Sequence, residues 1–135
     1  MYDSHLRAMV GLGTAGGLGT PTAWKFSVAG PAWRQVQPAL GPAPGYPIGW
    51  AIYHADLGKV LYFNAIPPET WAWDGSRWQR WPSGTAPHGF WHSSEVYDPA
   101  LKAVVLFGGG DDDGGTPTLK NQTWVLATTG WTRVG

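Results

Sequence analysis

The sequence predicts an all-β protein made of three copies of one four-stranded unit, and three observations carry that expectation. Twenty Gly and twelve Pro fall in clusters between short apolar runs along the whole chain. No stretch holds a helical apolar stripe longer than about two turns. Ten Trp, five Tyr and four Phe among 135 residues supply stiff rings that bury large areas in fixed places. The third observation is an internal repeat.

The last unit is the plainest. It runs Glu95-Val96-Tyr97-Asp98, a turn through Pro99 and Lys102, the apolar run Ala103-Val104-Val105-Leu106-Phe107, and then Gly108-Gly109. After a loop come Gln122-Thr123-Trp124-Val125-Leu126 and Gly130-Trp131-Thr132-Arg133-Val134. The first unit matches without a gap: Tyr2, Asp3, Leu6, Arg7, Ala8, Val10 and Gly13 stand where Tyr97, Asp98, Leu101, Lys102, Ala103, Val105 and Gly108 stand. In the middle unit Tyr53, Leu57, Val60 and Phe63 match Tyr97, Leu101, Val104 and Phe107. Trp24, Trp71 and Trp124 form one further column, and Trp33, Trp78 and Trp131 another.

Each element follows from this text. A first strand ends at the Tyr, and Asp, Pro or Gly makes a tight turn. The second strand is a continuous apolar run, the pattern of a strand buried on both faces. The third places Trp and a second large apolar side chain two residues apart on one face: Trp24 with Phe26, Trp71 with Trp73, Trp124 with Leu126. Trp24, Trp71 and Trp124 are therefore expected to be buried between units. A fourth strand carries Trp33, Trp78 or Trp131. A unit with two apolar faces cannot bury them alone, so neighbouring units must stack face to face.

The Tyr-Asp before the first turn, the apolar run ending in Gly-Gly and the Trp pair resemble the kelch repeat, whose period is about 50 residues. Matching positions here are 44 to 53 apart, and the resemblance covers nearly the whole chain. It implies a partial β-propeller of three four-stranded kelch-like blades, about 1–37, 48–81 and 90–135, in a single half-propeller spanning 1–135. Only Gly108-Gly109 supplies the expected diglycine. The first unit has Gly13 and then Gly16-Gly17, and the second has Asn64-Ala65, so its loop is expected to turn differently. Propellers close with four to eight blades. Three blades therefore call for a homodimer completing a six-bladed ring, or for further blades from a longer chain. Only Met1 precedes Tyr2, so the first strand of the first blade is expected to be short.

Composition narrows the function. Nine basic and nine acidic side chains cancel, which disfavours a nucleic-acid partner because phosphate affinity comes from clustered Lys and Arg. No signal peptide and no membrane span is legible. The absence of Cys removes disulfides, thiolate metal sites and cysteine nucleophiles. The kelch-type galactose oxidase group depends on a Tyr cross-linked to Cys, so that copper cofactor cannot form within this chain. No cofactor is expected.

Gly11-Leu12-Gly13-Thr14-Ala15-Gly16 spells a dinucleotide fingerprint, but Pro21 and Trp24-Lys25-Phe26 follow where a helix is required. It is read as a hairpin loop. Asp111-Asp112-Asp113 lacks the spacing of a Ca²⁺ loop and is read as a solvated tip. His5 and His54 fall at first turns, which account for them. His88 lies in a loop, and His92 is expected to start the first strand of the third unit beside Ser93, Ser94 and Glu95. Neither a nucleophile elbow nor a zinc-binding helix accompanies them, so no catalytic residue is assigned.

Tyr46, Trp50, Phe90 and Trp91 lie in or beside the links between units and fit two roles: filling the middle of the fold, or gripping a sugar or extended peptide. By the resemblance, the ligand face holds the loops 13–21, 64–69 and 108–120 with the links 37–49 and 82–90. Its candidate residues are Tyr46, Trp50, His88, Phe90, Trp91, His92, Asp111 and Asp113. The expected function is a non-catalytic module that binds a protein. A carbohydrate-binding piece of a larger secreted protein, or a fragment of a propeller enzyme whose catalytic residues lie elsewhere, is the alternative.

Overall fold

Three tight turns at matching positions organise the chain into three antiparallel four-stranded sheets that follow one another in sequence. The computed structural model describes residues 1–4, 6–14, 21–27, 29–36, 49–64, 68–81, 86–88, 90–111 and 118–135. The first sheet holds β1 (Tyr2–Asp3), β2 (Ala8–Thr14), β3 (Pro21–Ser27) and β4 (Ala32–Val36). The second holds β5 (Gly49–His54), β6 (Lys59–Asn64), β7 (Glu69–Trp73) and β8 (Trp78–Arg80), with a 3-10 turn at Ala55–Leu57. The third holds β9 (Ser94–Asp98), β10 (Ala103–Phe107), β13 (Thr123–Ala127) and β14 (Gly130–Arg133). A small hairpin of β11 (Gly110–Asp111) and β12 (Thr118–Leu119) interrupts it. The described residues are all-β, with no α-helix among them, as the sequence predicts.

Each turn between a first and second strand puts one residue in the left-handed region at the same repeat position: Arg7 at φ 50°, Gly58 at φ 60° and Lys102 at φ 52°. Only Gly adopts that conformation without steric cost. In the first and third sheets the Asp after the Tyr holds the turn. The Leu6 N–H donates to Asp3 Oδ1 at 2.9 Å, and the Ala100 and Leu101 N–H groups donate to Asp98 Oδ1 at 2.8 and 3.1 Å. In the second sheet His54 stands in that place and makes no such bond; the turn closes instead through the Gly58 N–H and the Ala55 carbonyl at 3.1 Å.

The strand register lines up one equivalent row across each sheet: Tyr2–Met9–Phe26–Trp33, Tyr53–Val60–Trp73–Trp78 and Tyr97–Val104–Leu126–Trp131. In the second sheet this row packs on Val10 and Ala23 of the first. In the third it packs on Leu61, Phe63 and Ala72 of the second. Successive side chains on a strand point to opposite faces, so Val60 and Tyr62 serve one seam while Leu61 and Phe63 serve the other. Polar links cross the seams at the turn end. Ser4 Oγ lies 3.0 Å from Tyr53 Oη, and Tyr97 Oη donates to Asp56 Oδ2.

Several expectations need correction. Trp24 is exposed, and Trp71 and Trp124 are only half-buried. The buried members of their pairs are Trp73 and Leu126, two residues on. The reason lies in the indole N–H, which donates to a side chain two positions earlier in all three copies: Thr22 at 3.2 Å, Glu69 at 2.9 Å and Gln122 at 3.1 Å. That bond keeps each ring at the sheet end. His54 is not explained by its turn, because it is fully buried with its ring 4.9 Å from that of Tyr97 and neither nitrogen partnered. His92 precedes the first strand of the third sheet, in a turn at φ 59°, and β9 starts at Ser94. Asp111 belongs to β11 and is half-buried, so it is not a solvated tip. His5, Ala65, Asp112 and Asp113 lie outside the described residues.

Two outcomes follow. Trp73→Ala should cost about 3–5 kcal/mol and Leu126→Ala about 2–5 kcal/mol in chemical denaturation, since both delete fully buried side chains. Thr129→Ala, in an exposed turn, should change stability by less than about 0.5 kcal/mol. Burial holds the His54 imidazole below its usual 6.5, against the opposing charge of Asp56. Above that value both folded and unfolded forms are neutral and the stability is complete. As pH falls below it, the unfolded histidine takes a proton that the folded one refuses, and stability is lost until the folded value is passed. Thermal unfolding at pH 7.5 and 5.5 should therefore show a loss that His54→Phe reduces; an equal loss in the variant would place the titrating group elsewhere.

Candidate functional site

At the end of the sheets opposite the first turns, the seam between the second and third sheets opens into a shallow cleft, about 300 Å³ when the open solvent at its mouth is counted. Four aromatic side chains line it, two of them, Phe63 and Trp131, from repeat positions of the two sheets. Trp50 and Phe63 face each other across β5 and β6, and Trp131 of β14 meets Phe63 edge-on at 5.2 Å between centroids. Phe90 supplies a fourth ring and packs edge-on against Trp124 at 6.3 Å.

The diglycine that the sequence singles out positions Phe90. Gly108 and Gly109 have φ 73° and 91°, and a Cβ on Gly109 would stand 3.0 Å from the Trp91 carbonyl oxygen and 3.1 Å from Phe90 Cα. A side chain there has neither the conformation nor the space. With that approach open, Trp91 and Gly110 exchange backbone hydrogen bonds at 3.1 and 3.0 Å, which pins the strand entry beside the cleft. Lys120 Nζ sits 5.2 Å from the Phe90 ring centroid, donates to the His88 carbonyl at 2.5 Å and pairs with Asp111 at 2.7 Å. His88 Nδ1 approaches the other Asp111 oxygen at 3.4 Å. Most of this group is spent on holding the segment that carries Phe90.

The polar wall comes from Asn64, Glu69 and Thr70. Glu69 accepts from Trp71 Nε1 at 2.9 Å and pairs with Arg80 at 2.7 Å. Thr70 Oγ1 accepts from Trp131 Nε1 at 3.0 Å, a hydrogen bond across the seam. Of the sequence candidates, Trp50 and Phe90 line the cleft. His88 and Asp111 flank it through Lys120. Trp91 is half-buried in the strand entry, His92 is exposed in its turn, and Tyr46 and Asp113 lie outside the described residues.

Sequence reasoning placed Asn64, Glu69 and Lys120 at the ends of ligand-face loops without singling them out, and it missed Thr70. Glu69 had a signal, standing two residues before the repeat Trp71 as Thr22 and Gln122 stand before theirs. Ser93 Oγ lies 2.5 Å from Glu95 Oε1 and 3.1 Å from the Phe90 carbonyl. Burial pushes the Glu95 carboxyl up, against the Ser93 hydrogen bond. No three His, Asp or Glu side chains among the described residues are grouped to hold a metal ion.

Comparison of the chain with protein-family models, curated proteins and solved structures gives no match. The site must therefore be judged on its own chemistry, which is apolar at the centre and ion-paired or hydrogen-bonded at the wall.

The seam bond under the cleft is testable. Thr70→Val keeps the shape of a buried side chain and leaves the Trp131 N–H without its acceptor. It should cost about 1–3 kcal/mol in chemical denaturation, the range for an unsatisfied buried donor.

Proposed function

We propose that the three sheets are kelch-like propeller blades and that the protein is a non-catalytic binding module, with the Trp50–Phe63–Phe90–Trp131 cleft taking an apolar side chain from a protein ligand. The cleft itself carries this proposal. Four rings converge on one opening at the end of a rigid seam, and pockets of this type combine apolar walls with a few fixed polar groups. Anchoring by a buried side chain is how protein interfaces concentrate their affinity. The glycan alternative is weaker on the same geometry. A sugar needs several polar partners beside the rings, and the polar wall offers Asn64, Thr70 and a Glu69 whose two oxygens are each held by one partner, Trp71 or Arg80.

Panning a displayed peptide library against the immobilised protein, beside a glycan array, tests the proposal. Peptides sharing an apolar anchor are expected, with affinity lowered at least about tenfold by Trp50→Ala, the loss of one anchor contact worth about 1.4 kcal/mol. Circular dichroism checks that the variant stays folded. Glycan hits without peptide enrichment would overturn the ligand class, and peptides indifferent to Trp50→Ala would overturn the site.

A further inference from the structure

We propose that a second copy of this chain covers the two open sheet faces, the outer face of the first sheet docking head to tail on the outer face of the third sheet of its partner. The observation is positional. In the second and third sheets the Tyr-to-Trp row is buried against the preceding sheet, Val60, Trp73, Val104 and Leu126 being inaccessible. The equivalent row of the first sheet is far more open: Tyr2 is 55% exposed, Met9 41% and Trp33 50%. The Trp33 ring reaches over Gly11, where a Cβ would stand 3.3 Å from it.

The complementary half of the seam lies at the other end of the molecule. In the second sheet the row Ile52–Leu61–Ala72 receives the third sheet. Its counterpart in the third sheet is Val96–Val105–Val125, with Val96 59% and Phe107 56% exposed. The two open faces are thus the two halves of an interface that the chain builds twice within itself. A sheet of the same construction is the occupant that fits both, and a second copy supplies both at once.

Such a contact is heterologous, so it must close a ring or grow into a filament. Two copies contribute six sheets, within the four to eight of closed propellers, whereas three copies contribute nine. The number of copies rests on the propeller proposal, while the pairing of faces rests on register and burial alone. The turn contacts extend the correspondence. Tyr53 and Tyr97 each reach the first turn of the preceding sheet, at Ser4 and Asp56, so Tyr2 would reach the turn around Ala100 of the second copy.

Sedimentation equilibrium on the purified chain at tens of micromolar tests this. The expected mass is twice the 14.6 kDa of one chain, falling to one chain in Trp33→Glu and, separately, in Val96→Glu, both at exposed positions checked by circular dichroism. Mixing the two variants leaves one unaltered seam between them, so association should return in the mixture. A parent that is monomeric, or aggregates without a defined mass, overturns the proposal. So does a dimer dissolved by only one variant, which would mean a face pairing with itself.

Discussion

The middle sheet is buried on both sides, and the rest of the structure depends on that double burial. A four-stranded antiparallel sheet of this size with two apolar faces gains little by itself, because each large side chain left in water forgoes about 1.5–3 kcal/mol of burial. The second sheet meets the problem by alternation. Val60, Tyr62, Trp73 and Trp78 enter one cluster, and Leu61, Phe63 and Ala72 enter the other. Register is therefore specified tightly, since a slip of one residue in β6 would exchange the two sets and leave neither seam filled.

Turns and rims accommodate the seams. The left-handed residue before each second strand reverses the chain tightly, and it is Gly only in the middle sheet. There the place of the capping Asp is taken by His54, whose ring packs under Tyr97 at the second seam. An Asp that caps its own turn has become a neutral ring that packs on the next sheet. At the opposite rim, the repeat tryptophans keep their N–H groups bonded to side chains two residues earlier. The hydrogen bonds of the seams are made at the two ends, while inside them the Trp73 and Trp78 indole N–H groups and both His54 nitrogens are buried without a partner.

The cleft arises from the same arrangement. It opens where the second and third sheets part, so the seam residues Phe63 and Trp131 line it together with Ala86, Pro87 and Phe90 of the link between the sheets. Phe90 completes it only because Gly109 lets the Phe90–Trp91 segment approach the hairpin. The Lys120–Asp111 pair then ties that segment down from the far side. Rigidity at the cleft is thus borrowed from packing that the fold requires anyway.

Strand content, the three four-stranded units and the turn positions were legible in the sequence because they depend on local chemistry: Gly and Pro at reversals, alternation of apolar residues, and a repeat that lays Tyr2, Tyr53 and Tyr97 in one column. Trp50 and Phe90 were singled out for a similar reason, being large rings outside the repeat columns. The burial of Trp73 in place of Trp71, of Leu126 in place of Trp124, and of His54 where an exposed turn was expected could not be read there. Those outcomes turn on which sheet lies against which face and on where an indole N–H finds its acceptor. The same holds for Glu69 and Thr70, ordinary polar residues in the sequence that reach the cleft only once Trp71, Arg80 and Trp131 close around them. Local pattern by itself determined the strands and their repeat; only packing between sheets decided which face of each strand is buried, because that depends on atoms tens of residues away.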